Sequence, residues 1–217
     1  MKTVIISGGR ISEDFALSFL REYNCDVLIG VDGGLQFLYD FCITPDYIVG
    51  DFDTAPPPLV AYFESIRQIT EQRLNPVKDC TDTQSAIELA LGIGSSEIVV
   101  LGGTGTRLDH VIGNIHSLML PLEKGVPCIL LDEHNRISLI SDNFTLGISE
   151  QYGKYVSLLP LTSEVKGVTL RGFKYELTDY DFNVASSAGL GVSNEIVDDE
   201  AAVEIGSGVF ILIESRD

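Results

Sequence analysis

The sequence predicts a parallel α/β domain followed by a small all-β sandwich, on three observations. Over the first part of the chain, short apolar runs of strand length alternate with apolar sets at helical spacing, and repeated units of that kind build parallel sheets. Four of those runs end in glycine or aspartate clusters: Gly8-Gly9, Asp32-Gly33-Gly34, Gly50-Asp51 and Gly102-Gly103. Ligands of parallel sheets bind beyond the carboxyl ends of the strands, so all four clusters are expected to face one crevice. Beyond about residue 140 the segments become short and alternating, with turn residues between them, as in an all-β unit.

The elements follow in order. Val4–Ser7 reads as a strand. Ser12 reads as an N-cap, with Glu13 and Asp14 in the first turn of a helix whose apolar set is Ala16, Phe19, Leu20 and Tyr23. Asp26–Val31 is a second buried-type strand, Leu35–Phe41 a helix, Asp46–Gly50 a third strand and Leu59–Ser65 a helix after a proline stop. Thr81 and Gln84 form a capping box for a helix over Gln84–Leu91. Glu97–Gly102 is a strand. Leu108, Ile112, Ile115, Met119 and Leu122 then mark one amphipathic helix, closed by Gly125 and Pro127, with a strand over Pro127–Asp132. In the second part, strands are expected over Thr145–Ile148, Tyr155–Leu159, Val168–Phe173, Ala202–Ile205 and Val209–Glu214, the last two joined by a hairpin turn at Ser207-Gly208.

A chain of 217 residues, 45% of them hydrophobic, can bury a real core. No apolar run approaches the roughly 20 residues of a membrane span. The apolar start is too short for a signal peptide, and the four cysteines form no CxxC, so a cytoplasmic protein with reduced thiols is expected. A net charge of −18 argues against nucleic-acid binding, which needs Lys and Arg on phosphates, and suits cationic ligands and metals.

Three clusters carry chemistry. Asp51 and Asp53 lie two residues apart where a strand runs out, and in extended backbone they would share a face at about 6.6 Å. Their mutual repulsion, about 1–4 kcal/mol at close range, makes an oxygen-liganded divalent cation a natural partner. Lys78-Asp79-Cys80-Thr81-Asp82 precedes a helix. Gly102-Gly103-Thr104-Gly105-Thr106-Arg107-Leu108-Asp109-His110 is a glycine-rich strand-to-helix turn, where close backbone approach, a helix N-terminus and the Arg107 fork favour phosphate. Singly, each has a plainer reading. Asp79, Asp82 and Asp109 suit helix N-termini, Asp32 suits a turn, Lys78 suits solvent, and His116 suits the partly buried face of its helix. The three histidines have no metal-ligand spacing. Asp109 is placed either to ligate a metal or to orient Arg107.

In combination these strings resemble the thiamine pyrophosphokinase family, in its short bacterial form. The matching strings are Asp32–Gly34, Pro45–Thr54, Lys78–Asp82, Gly102–His110 and Ser193–Glu195, in family order. Thr54 stands where the family usually has Ser. The chain has no Trp, and Tyr175 lies where the resemblance places an aromatic. The resemblance implies an α/β domain over residues 1–140 that binds ATP and Mg²⁺, a thiamine-binding and dimerising β-sandwich over 141–217, and a homodimer with thiamine near its interface. It implies transfer of the pyrophosphoryl group of ATP to the thiamine hydroxyl, giving thiamine diphosphate and AMP.

On that reading Asp51, Asp53, Asp79 and Asp82 are the Mg²⁺ ligands, direct or through water. Arg107 and Lys78 hold phosphate. Asp109 and Asp32 orient Arg107, complete the metal shell or contact thiamine. Gly33, Gly34, Thr81, Gly102, Gly103 and His110 complete the binding surface, and Ser193, Asn194 and Glu195 contact the aminopyrimidine. Two other readings remain open. Asp51-Phe52-Asp53-Thr54 also fits a haloacid-dehalogenase-type phosphatase with Asp51 as nucleophile. A non-catalytic nucleotide- or thiamine-binding regulator would keep the same strings.

Overall fold

A computed structural model describes residues 1–52, 55–74, 80–187 and 189–217. Asp53, Thr54, Lys78 and Asp79 lie outside the described residues. The chain divides into two compact units, Met1–Glu133 and His134–Asp217, where the sequence pattern put the change at about residue 140.

The first unit alternates strand and helix: β1 (Lys2–Ile6), α1 (Glu13–Glu22), β2 (Val27–Val31), α2 (Gly34–Asp40), β3 (Tyr47–Gly50), α3 (Pro57–Glu64), β4 (Thr70–Arg73), α4 (Asp82–Gly92), β5 (Glu97–Leu101), α5 (Leu108–Ser117), α6 (Met119–Glu123) and β6 (Cys128–Leu131). Its strands run in the order β4-β3-β2-β1-β5-β6, and every pairing is parallel. Val4, Ile5, Ile6, Ile29, Ile48, Val49, Ile98 and Val100 are wholly buried, so the central strands read as continuous apolar runs rather than as alternation. Helix α4 lies against β1, β2 and β3.

Several local expectations change. Ser12 takes the N-cap position of α1 in extended backbone, but its side chain makes no cap hydrogen bond. Half of the capping box forms at α4: the Gln84 N–H donates to Thr81 Oγ1 at 3.1 Å, while the Gln84 amide turns down the helix to Glu88. Strand β4, Thr-Glu-Gln-Arg, escapes notice because an edge strand pairs on one side only and keeps polar side chains. The expected helix over Leu108–Leu122 is two, broken at Leu118. Pro121 has no N–H for the Ser117 carbonyl and its ring crowds that carbonyl.

The apolar stripe of α5 does not enter the core. Leu108 is 71% and Ile112 54% exposed, and the inward residues are Asn114 and Ser117. His116, expected on the partly buried face, is exposed.

The second unit is a sandwich of two antiparallel sheets. One contains β7 (Asn135–Ile140), β13 (Phe210–Ser215) and β9 (Tyr155–Pro160), in the order β7-β13-β9. The other runs β11-β10-β12-β8, formed by β8 (Phe144–Gly147), β10 (Glu164–Arg171), β11 (Leu177–Asn183) and β12 (Glu200–Glu204). Both sheets contribute to one core, with Val156, Leu158, Phe210 and Leu212 against Val165, Val168, Leu170, Phe182 and Val203.

Ser207-Gly208 is therefore not a hairpin turn. It carries the chain from β12 in one sheet to β13 in the other, with Gly208 at φ +99° and the Lys166 N–H donating to the Ser207 carbonyl. Strands β7 and β11 were not expected. The buried residues Ile137 and Leu139 give β7 only two inward positions, and the run Leu177–Asn183 has one buried residue, Phe182.

The second unit also contains a buried ion pair. Glu214 is 2% exposed and faces Arg136 across the β7–β13 ladder. Arg136 donates from Nε and Nη2 at 2.6 and 2.7 Å, and the Tyr152 N–H donates at 2.8 Å. Arg136→Ala leaves that carboxylate nearly alone, so a loss of about 2–4 kcal/mol is expected in chemical denaturation, softened by the partial exposure of Arg136. The double change Arg136→Met with Glu214→Leu should recover most of it.

Candidate active site

The site is built at the one place where the sheet order reverses. From β1 the chain proceeds to β2, β3 and β4 on one side, and β5 and β6 lie on the other. The loops after β1 and β5 therefore diverge and leave a crevice at the strand ends. Its volume is about 530 Å³, and its walls include Gly8, Arg10, Asp32, Asp82, Gly103 and Arg107.

Backbone bonds join the two loops. The Ser7 N–H donates to Leu101 O at 2.8 Å, Gly9 N–H to Gly102 O at 2.9 Å and Arg10 N–H to Thr104 O at 2.9 Å. Gly102 has φ +68°, a conformation that glycine adopts without penalty. Side chains brace the same loops. Asn114, reaching inward from α5, donates to Gly103 O at 2.8 Å, and Thr104 Oγ1 donates to Asp132 at 2.7 Å. Ser7 and Thr83 share a buried hydroxyl contact of 2.6 Å, which ties the end of β1 to the start of α4. Asn114 carries no signal in the sequence, where it is one polar residue within an amphipathic helix.

Arg107 and Asp109 form an exposed two-point pair, with Nη2 to Oδ2 at 2.7 Å and Nε to Oδ1 at 3.3 Å. The hydrogen bond from Arg107 holds the Asp109 carboxyl below its ordinary range and pushes the Arg107 guanidinium further into its charged form. In this arrangement the Asp109 carboxylate holds two nitrogens of the Arg107 guanidinium. His110 lines the crevice one residue on.

Arg10 is a second cation on the crevice wall, 3.6 Å from Glu133. It follows Gly8-Gly9 directly, and that position was the signal that could have found it.

Asp32 and Asp82 line the crevice, Asp82 from the first turn of α4 where the helix dipole favours a carboxylate. Thr81 caps that helix and lies on the same wall. Asp32 has φ +39°, and its N–H donates to Val49 O at 3.1 Å. Gly33 and Gly34 do not line the crevice. They begin α2, and a Cβ on Gly34 would come within 2.2 Å of Ile6 O.

Asp51 follows β3, beside the Asp32 strand end. Phe52, which follows Asp51, is left-handed at φ +59° rather than extended, and Asp53 lies outside the described residues. Among the described residues, no three His, Cys, Asp or Glu side chains stand close enough to hold a metal ion by themselves. The donor set still suits Mg²⁺, a hard cation usually held by one or two carboxylates together with substrate phosphates and water.

The second unit presents a separate constellation. Asn194 is buried, and its amide bonds backbone on both sides: Oδ1 accepts from the Tyr175 and Glu195 N–H groups, each at 3.0 Å, and Nδ2 donates to Tyr175 O at 2.8 Å. Glu195 pairs with Lys174 at 2.8 Å and Lys154 at 3.3 Å, and these bonds hold its carboxyl below the ordinary range. Ser193 is left-handed and exposed, with its N–H on Ser157 Oγ. Tyr175 is 62% exposed, with Lys174 Nζ 5.7 Å from its ring centroid.

Comparison with known proteins gives the site its family. Residues 21–130 match the model of the thiamin pyrophosphokinase catalytic domain, and residues 144–210 match that of the thiamin pyrophosphokinase vitamin B1 binding domain. The chain is 30% identical to the thiamine pyrophosphokinase of Bacillus subtilis over 195 residues, 87% of each chain. It superposes on the crystal structure of thiamine pyrophosphokinase from Bacillus subtilis with a TM-score of 0.84 and 28% identity, covering 100% of both chains. The thiamin pyrophosphokinase of Geobacillus thermodenitrificans gives 0.84 and 27%, covering 100% of this chain and 98% of the other. The chain belongs to the thiamin pyrophosphokinase family, kinases that transfer pyrophosphate from ATP to thiamine.

Proposed function

We propose that the crevice between the β1 and β5 loops binds the triphosphate of ATP and that the SNE surface of the second unit recognises thiamine. The observation that carries this reading is the crevice itself: two hydrogen-bonded glycine-rich strand ends, two arginines and two carboxylates at the reversal of a parallel sheet. Glycine backbone, which a phosphate can approach closely, and the α5 N-terminus favour phosphate oxygens. Arg107 and Arg10 take the charge that accumulates on them.

The thiamine hydroxyl oxygen bonds to the β-phosphorus, the bond from that phosphorus to the α,β-bridging oxygen breaks, and AMP leaves with that oxygen. The hydroxyl proton passes to a base, and a carboxylate of the aspartate cluster is the group of suitable chemistry. Such transfers depend on positioning and on neutralised phosphate oxygens. Asp51 and Asp82, with Asp53 and Asp79, are the residues that would hold Mg²⁺, which supplies charge neutralisation and a template for the triphosphate. Lys78 would add a further phosphate contact. The fixed positive charge of thiazolium suits a chain of net charge −18.

In the second unit, Tyr175 is the aromatic surface for thiamine, with its backbone set by Asn194. The exposed apolar side chains Leu108 and Ile112 of α5 are compatible with the homodimer we also propose, and solution mass would read that directly. We also propose a cytoplasmic location; among the described residues no helix is long and apolar enough to cross a membrane.

The phosphatase reading finds no support. Asp51 follows the third strand, whereas that chemistry places its nucleophile after the first. Mixing the protein with ATP, Mg²⁺ and thiamine should yield AMP and thiamine diphosphate, identified by mass. Absence of AMP would leave the regulator reading standing. Asp51→Asn should lose at least about 100-fold in kcat, and near-normal turnover with unchanged Mg²⁺ dependence would sink the ligand assignment. Tyr175→Ala should raise the KM for thiamine by about 3–30-fold with kcat nearly kept, as expected for one lost cation–aromatic contact, while Tyr175→Phe should stay close to the parent.

A further inference from the structure

The turn after β3 contains a bulky residue where glycine would be least strained. Phe52 sits at φ +59°, in the left-handed region that non-glycine residues seldom occupy, and it directly follows Asp51. Its ring is not a surface accident: Phe52 is only 8% exposed. The ring folds back over Gly50, where an added Cβ would lie 3.2 and 3.3 Å from two ring carbons and 3.4 Å from the Cβ of Asp32. Gly50 is thus enclosed between the Phe52 ring and the neighbouring strand end. A side chain there would push apart the two backbones that carry Asp32 and Asp51.

The outer side of the ring is covered from β4. Arg73 is the register partner of Gly50, and the Leu74 N–H donates to Gly50 O at 2.9 Å. The Arg73 guanidinium lies 5.3 Å from the Phe52 ring centroid. It is held by Glu71 through Nε at 2.7 Å and by Glu64 of α3 through Nη2. Two carboxylates already occupy this guanidinium, which separates it from Arg10 and Arg107 on the crevice wall. Nothing in the transfer reaction calls for an aromatic or a doubly paired arginine at the outer edge of the sheet.

We infer that Phe52 and Arg73 are positioning residues. The ring, wedged over Gly50 and covered by the guanidinium that Glu64 and Glu71 orient, holds the left-handed turn that ends β3 and so fixes the backbone of Asp51. This rests on the reading of Asp51 as a ligand of the divalent cation. The strained turn is stable only while ring and guanidinium stay in place.

The test is Mn²⁺ binding to protein saturated with a non-hydrolysable ATP analogue, followed by electron paramagnetic resonance, beside steady-state kinetics. Arg73 is largely exposed, so Arg73→Gln should fold with a thermal midpoint within about 2 °C of the parent. It should bind Mn²⁺ about 2–5-fold more weakly, the scale of one lost exposed cation–aromatic contact, and need correspondingly more Mg²⁺ for half-maximal rate, with the KM for thiamine unchanged. Arg73→Lys, which keeps a cation over the ring, should recover part of the loss. Phe52→Leu should reproduce the weakening without touching any charge.

Parent-like Mn²⁺ binding in Arg73→Gln overturns the inference. So does a raised KM for ATP with Mn²⁺ binding intact, which would make Arg73 a direct phosphate contact. Asp51→Asn is the control: if it loses Mn²⁺ while Arg73→Gln does not, only the positioning role fails. If Asp51→Asn binds Mn²⁺ like the parent, the ligand assignment fails and this inference with it.

Discussion

The reversal of strand order between β1 and β5 is the constraint on which the rest of the first unit depends. Parallel strands need crossovers, and crossovers that leave in opposite directions from adjacent strands cannot close over their shared end. The gap is preserved because the chain fills it with backbone rather than with side chains. The loops of Gly8-Gly9 and Gly102-Gly103 hydrogen-bond to each other and to Thr104. Asn114 and Thr83, both buried, then fix those loops to α5 and α4. A surface rich in peptide groups and short of Cβ atoms is one that phosphate can approach closely.

Electrostatics builds on that frame. In a chain of net charge −18, the positive charge on the crevice wall is local and already matched: Arg107 with Asp109, Arg10 with Glu133. The Arg107–Asp109 pair is exposed, so solvent screens it and exchange of the carboxylate for a phosphate oxygen is cheap. The depressed Asp109 pKa gives the direction: the pair persists until pH falls below the ordinary carboxylate range, and only then does Arg107 lose its partner. Buried pairing behaves differently. Glu214 in the second unit is shielded from water while its partner Arg136 is partly exposed, and theirs is a structural bond rather than an exchangeable one.

The second unit shows how a short motif divides its labour. Ser193-Asn194-Glu195 looks like three ligand contacts in a row. In the structure the Asn194 amide is spent on the backbone of Tyr175 and Glu195, and the Glu195 carboxylate on two lysines. Tyr175 reaches solvent, as does Ser193. An asparagine that presents an aromatic is as constrained in sequence as one that touches a substrate, which is why the motif alone does not separate the two roles.

Much of the fold was legible because it rests on local rules. Apolar runs of strand length, helical spacing and the glycine or aspartate clusters that end four of the strands identify the α/β unit without any knowledge of partners, and the clusters at Asp32, Asp51 and Arg107 follow from where those strands stop. Tertiary structure decided what depends on distant neighbours. The polar edge strand β4 exists because β3 offers it a free side. Residues Ser207-Gly208 cross between sheets because β12 and β13 find their partners elsewhere. The apolar stripe of α5 faces out because Asn114 is needed inside, on the glycine-rich loop. And Phe52, read from sequence as part of an extended strand end after Asp51, is left-handed, with the Arg73 guanidinium of β4 beside its ring. Periodicity reports which face of an element is apolar; only packing decides which face is needed.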